Sequence, residues 1–145
     1  MEGISELIAR LKDAGVPLDD RIEDAMNSVD PRCFTDHNLE PFLGDRPVPF
    51  LVTEEGAAKT ISAPHMVATL LHHLEIREGQ HVLLLGSKGG YLAALLDCML
   101  GPDGVVTIIE PHDEVLLHTS ERLEMFDSMG FLTILPPEAL EGWNG

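Results

Sequence analysis

The residues whose types and spacing carry the most chemistry run from His81 to Tyr91: His81-Val82-Leu83-Leu84-Leu85, followed by Gly86-Ser87-Lys88-Gly89-Gly90-Tyr91. The uninterrupted apolar run predicts a parallel strand buried on both faces. The glycines behind it allow a sharp turn and a close approach of the backbone to a ligand. Tyr91-Leu92-Ala93-Ala94-Leu95-Leu96-Asp97-Cys98-Met99-Leu100 then has the composition of a helix whose first amides would face that ligand. This is the entrance to a nucleotide-type site in a doubly wound sheet, and a tight turn without any ligand would satisfy the same residues. About 20 residues further on, Glu110 ends a second apolar run, Val105-Val106-Thr107-Ile108-Ile109, where a carboxylate can accept hydrogen bonds from the two hydroxyls of a ribose. The alternative for Glu110 is a solvated loop carboxylate.

These residues need elements to hold them. Ile4, Leu7, Ile8 and Leu11 recur at helical spacing until Gly15-Val16-Pro17, and Asp19-Asp20 opens a second helix with Ile22, Ala25, Met26 and Val29 on one face, ended by Asp30-Pro31. Residues 32–49, with Pro41, Gly44, Pro47 and Pro49, read mostly as extended loop. Pro64 suits the first turn of a further helix bearing Val67, Leu70, Leu71 and Leu74, with Ser62 or Ala63 at its cap. After Glu110, a helix with Val115, Leu116, Thr119, Leu123 and Phe126 inward runs to Gly130, and Phe131-Leu132-Thr133-Ile134-Leu135 forms a third strand closed by Pro136-Pro137. The order strand, helix, strand, helix, strand predicts an α/β fold, a partial Rossmann-like parallel sheet with an N-terminal helical lead-in. The expected organisation is one domain over residues 1–145, with the lead-in at 1–50 and the sheet core at 51–145.

Composition narrows the partners. With 9 basic and 25 acidic residues the formal charge is −16, which disfavours an electrostatic grip on nucleic acid or an anionic membrane. No apolar run approaches the roughly 20 residues of a membrane helix, and no basic segment precedes an apolar one at the start, so a cytoplasmic protein is expected. Cys33 and Cys98 lie too far apart for paired metal ligation and read as small buried residues. The adjacent His72 and His73, and His112 with His118, have no spacing that argues for zinc, so no metal site is expected.

Three stretches carry a family resemblance: Thr60-Ile61-Ser62-Ala63-Pro64-His65-Met66, Asp45-Arg46-Pro47-Val48-Pro49, and Val82 through Tyr91. Together with Leu7-Ile8-Ala9-Arg10-Leu11-Lys12 and Gly15, they make the chain similar to protein-L-isoaspartate O-methyltransferases from the first helix to about Leu135. The resemblance implies an S-adenosylmethionine-dependent methyltransferase-type fold. It also implies methylation of the free α-carboxyl of isoaspartyl residues in damaged proteins, leading to their repair. In that reading Thr60, Ile61 and Ser62 form the catalytic segment near cofactor and substrate carboxylate. Gly86, Ser87, Gly89 and Gly90 surround the methionine part of the cofactor, and Glu110 binds its ribose.

The chain departs from the family pattern in three places. Leu84 stands where the family has an acid, and Lys88 where it has the middle glycine, which places bulk and a cation near a sulfonium unless the side chain swings outward. Leu135-Pro136-Pro137-Glu138 replaces a Gly-Asp-Gly, with Trp143 near the position of an aromatic that follows that motif. The family continues through further strands beyond the place of Gly145, so the expected sheet has an uncovered edge for a second subunit or a second copy. These departures leave two readings open, a divergent or impaired methyltransferase and a non-catalytic binding or assembly subunit.

Overall fold

The computed structural model describes residues 3–141, and Trp143 lies outside them. The amphipathic helices come first. Helix α1 (Ile4–Asp13) buries Ile4, Leu7, Ile8 and Leu11, and α2 (Asp20–Ser28) buries Ile22, Ala25 and Met26. The Asp19 carboxylate accepts the Ile22 N–H and so caps the open amides of α2. Helix α2 ends at Ser28, because Val29 is already extended ahead of Pro31.

Residues 32–49 are more ordered than extended loop. A single 3-10 turn, Pro31–Cys33, and a short helix α3 (Glu40–Leu43) precede strand β1 (Val48–Val52), which pairs antiparallel with β2 (Ala58–Ile61). The hairpin is hidden in the sequence by its prolines. Pro49 sits where the β1 register shifts, one of the few strand positions that tolerates a missing amide hydrogen. Beyond β2 runs α4 (Pro64–Leu74), with Ala63 at its N-cap and Pro64 in its first turn.

The second sheet is parallel. Strands β3 (His81–Leu85), β4 (Val105–Ile109) and β5 (Phe131–Leu135) pair in that order, joined by α5 (Tyr91–Leu100) and α6 (Asp113–Met125). Val106 and Ile108 of the central strand are fully buried, and Val82, Leu84, Leu132 and Ile134 pack against the same core. The opposite face is open: Leu85 is 74% and Phe131 66% exposed, and Leu83 is exposed as well. β3 is therefore covered on one face and not on both. Its continuous apolar run meets the core with every second residue only, because Leu83 and Leu85 stand on the face of the three-stranded sheet that is left open. Cys33 also departs from expectation and is exposed, while Cys98 is half-buried. None of the described helices is long and apolar enough to cross a membrane.

Two details anchor the site-bearing elements. Asp97 on α5, 1% exposed, accepts the Met129 and Gly130 amides at 2.7 and 3.0 Å, which fixes the loop entering β5. Tyr91 is buried against Phe42 at 5.5 Å and Phe34 at 6.3 Å, both edge-on. Its hydroxyl has no hydrogen-bond partner among the described residues. Replacing Asp97 by Ala leaves two amides without their acceptor and is expected to cost about 2 kcal/mol in urea unfolding. Tyr91→Phe removes an unpartnered hydroxyl, so the same measurement should show unchanged or slightly higher stability, by up to about 1 kcal/mol.

Candidate adenosyl-type site

The carboxyl ends of β3 and β4 meet through a buried hydrogen-bond cluster. The Glu110 side chain turns back toward the glycine turn, where its Oε1 accepts the Ser87 amide at 2.8 Å and the Ser87 hydroxyl at 2.6 Å. Its Oε2 accepts the His112 amide at 3.0 Å. Because the Ser87 hydrogen goes to the carboxylate, the hydroxyl of Thr119 is left to donate to Ser87 Oγ, 3.0 Å away. Ser87 and Thr119 are fully buried and Glu110 is 5% exposed. Burial by itself pushes the Glu110 carboxyl up, but the hydrogen bonds from Ser87 and His112 outweigh it and hold the group below its ordinary value. The carboxylate is thus held ionised at neutral pH by the protein's own donors.

A cavity of about 560 Å³ opens over this cluster. Its wall combines Thr60 and Lys59 from the hairpin, Gly86 and Lys88 from the turn, and Glu110 with an apolar side formed by Ile109, Pro111, Val115, Pro137 and Leu140. Gly86 has φ +98°, and a Cβ there would meet nothing within 4 Å, so its backbone presents open space to the cavity. A smaller cavity of about 230 Å³ lies between α4 and β3, lined by Ile61, Ser62, Met66, Tyr91 and again Lys88. Lys88 is the residue of the turn, besides Gly86, that borders both spaces.

The expected site residues are distributed unevenly around these spaces. Thr60, Gly86 and Glu110 border the larger cavity, and Ile61, Ser62 and Gly86 the smaller. Ser62 makes no capping hydrogen bond to α4. Ser87 lies beneath the surface as the hydrogen-bond partner of Glu110. Gly89 and Gly90 line neither space, and a Cβ on Gly89 would lie 2.9 Å from Phe50 and one on Gly90 3.0 Å from Phe34. Their lack of a side chain serves packing under the turn. Sequence reasoning passed over Lys59, His112, Pro137 and Leu140 as lining residues, since nothing in their local pattern separates a cavity wall from ordinary loop. It also passed over the Asp45–His65 pair. There, Asp45 accepts the His65 amide at 2.8 Å and meets its Nδ1 at 2.9 Å, tying the segment that carries Ser62 to the loop before β1.

Replacing Glu110 by Gln keeps the size but turns an NH₂ toward a backbone N–H, so a loss of about 2 kcal/mol is expected. The pH dependence has a definite sign. A carboxyl whose folded value lies below the ordinary 4.5 contributes stability above that pH and loses it as the pH falls through the folded value. Thermal melts from neutrality into acid should show the unmodified chain losing stability below about pH 4.5, with a smaller loss in Glu110→Gln.

The sequence matches the model of the family described as Protein-L-isoaspartate(D-aspartate) O-methyltransferase (PCMT) over residues 2–144. A protein-L-isoaspartate O-methyltransferase of Triticum aestivum is 35% identical over 126 residues, covering 86% of this chain and 52% of the relative. One from Ignicoccus hospitalis is 34% identical over 141 residues, covering 95% of this chain and 63% of the relative. The chain thus spans roughly half to three fifths of the length of these relatives. Among solved structures, a protein-L-isoaspartate O-methyltransferase superposes with a TM-score of 0.76 at 22% identity, covering 88% of this chain and 40% of that one. A Plasmodium falciparum chain described as the same kind of enzyme, in complex with S-adenosyl-L-homocysteine, gives 0.72 at 23% identity, covering 93% of this chain and 63% of that one. Those two likenesses establish the fold, and the match over residues 2–144 shows that the chain belongs to the protein-L-isoaspartate O-methyltransferase family.

Proposed function

We propose that this chain forms the adenosyl-binding part of a protein-L-isoaspartate O-methyltransferase, a cytoplasmic protein that takes S-adenosylmethionine in the larger cavity and acts on isoaspartyl carboxylates of other proteins. The observation that carries the reading is the ionised, pre-set Glu110 carboxylate at the base of a cavity bordered by a glycine without steric cover. The residues fit an adenosyl group. A carboxylate has about four acceptor positions, of which Ser87 and His112 fill three, so Oε2 retains room for one ribose hydroxyl. The apolar wall of Pro111, Pro137 and Leu140 suits a purine face.

When bound, S-adenosylmethionine supplies an electrophilic methyl group. The protein then has to hold an already ionised substrate carboxylate in line with it and to keep water out, which needs position more than acid–base chemistry. Thr60 at the larger cavity and Ile61 and Ser62 at the smaller are the residues we assign to receiving that carboxylate, and the Asp45–His65 pair braces their segment. Residues 1–145 act as one unit in this reading. A second reading, a non-catalytic subunit that joins a protein partner or its own copy, draws on the open sheet face at Leu85 and Phe131.

Lys88 holds φ +50°, a conformation that glycine adopts without strain, and the residue borders both cavities. Calorimetric titration should therefore show S-adenosylmethionine binding at millimolar affinity or better, weaker than S-adenosylhomocysteine, which lacks the sulfonium charge. Lys88→Gly should tighten the former by about tenfold while changing the latter little. Absence of binding for both ligands in both proteins would remove the adenosyl reading.

A further inference from the structure

The open face of the parallel sheet is a grid of nine positions. Residues 81, 83 and 85 of β3 line up in register with 105, 107 and 109 of β4 and with 131, 133 and 135 of β5. The residues between them pack into the core under α5 and α6, so these nine share the opposite side. Six of them are apolar, two are threonine and one is His81; in a chain of formal charge −16, the grid holds no carboxylate, lysine or arginine. Leu83, Leu85 and Phe131 are exposed on it. Its upper row continues into the larger cavity, whose wall includes Leu85 and Ile109. The loops entering and leaving the strands have the opposite character, with exposed Glu78, Asp103, Asp127, Glu138 and Glu141 against Arg77 and Lys88.

We infer that this face seats one amphipathic helix of a partner protein, apolar toward the sheet and basic at its edges, and that the seated helix tightens adenosyl binding by walling the larger cavity. Size argues for a helix. Three strands of five residues give a face roughly 14 Å wide and 17 Å long, about 240 Å². A stable interface between two proteins takes about 800 Å² from each, so two of these faces pressed together fall well short. A helix about 10–12 Å across and 11 residues long covers the same face, and parallel sheets are ordinarily covered by helices on both sides. Charge argues for a basic one, since five acids against two cations flank the strands. The coupling rests on the adenosyl reading: a helix over Leu85 and Ile109 excludes water from the side of the cavity that they border. Linkage then makes each ligand tighten the other by the same factor.

The test is calorimetric titration of the whole chain with a synthetic helical peptide of about 18 residues, leucines at i, i+3, i+4 and i+7 spacing on one face and lysines on the other. The same peptide with glutamates for lysines is the control. The lysine peptide should bind saturably, one to one, and at least about tenfold more tightly than the glutamate peptide. Leu83→Glu with Phe131→Glu should abolish binding even though it makes the chain more acidic, which separates seating on the face from general attraction of a cation. Leu83→Thr with Phe131→Thr, suited to a strand, should weaken it about tenfold or more, and circular dichroism melts confirm that each variant is folded. S-adenosylhomocysteine should bind about fivefold or more tightly once the peptide is in place. Peptide binding that survives both pairs of substitutions would overturn the face as its seat. No saturable binding of the lysine peptide, or a dimer of the free chain that the substitutions break, would overturn the helix as occupant. Seating without a change in S-adenosylhomocysteine affinity would overturn the coupling, whereas failure of S-adenosylhomocysteine to bind at all, with the peptide seated, would remove the adenosyl reading and the coupling built on it while leaving the helix seat established.

Discussion

The hydrogen bonds from Ser87 to Glu110 are the constraint on which the site depends. They close the ends of two neighbouring parallel strands over a buried anion. A carboxylate at 5% exposure would be costly if it were unpaired. Here three donors compensate it, and the glycine turn is held against β4 as a consequence. Thr119 extends the same cluster into α6, so the helix following β4 is registered to the turn following β3. The cavity is therefore a product of strand pairing, and its floor is held in place by the hydrogen bonds among Ser87, Glu110 and Thr119.

Much of the fold was legible because its determinants are local. The spacing of Ile4, Leu7, Ile8 and Leu11, the cap at Asp19 and the alternation of apolar runs with helices each follow from short-range patterns. What escaped depends on tertiary context. The hairpin of β1 and β2 is disguised by Pro47 and Pro49, and only the register shift at Pro49 makes such a strand possible. The all-apolar β3 suggested cover on both faces, yet Leu83 and Leu85 project from the open side of the sheet. A run of leucines states what a strand could bury, while its neighbours decide what it does bury.

The site was partly legible for the same reason. Gly86 and Glu110 could be placed by their distance along the chain from a strand end, which a βαβ unit fixes. Gly89 and Gly90 looked equivalent to Gly86 in sequence, but Phe50 and Phe34, which come from elements far away in the chain, occupy the space their side chains would need. The convergence of Lys59 and Lys88 was likewise invisible, since 29 residues separate them and only the hairpin brings them to one wall.

The central claim is that the floor formed by Gly86, Ser87 and Glu110 receives an adenosyl group. Amide chemical-shift mapping by ¹⁵N nuclear magnetic resonance during titration with S-adenosylhomocysteine addresses it most directly. The account requires saturable shifts centred on Gly86, Ser87, Glu110 and His112, extending to Thr60 and leaving Arg32 to Leu43 unmoved. Shifts centred instead on residues 32–43, or none at saturating ligand, would contradict it.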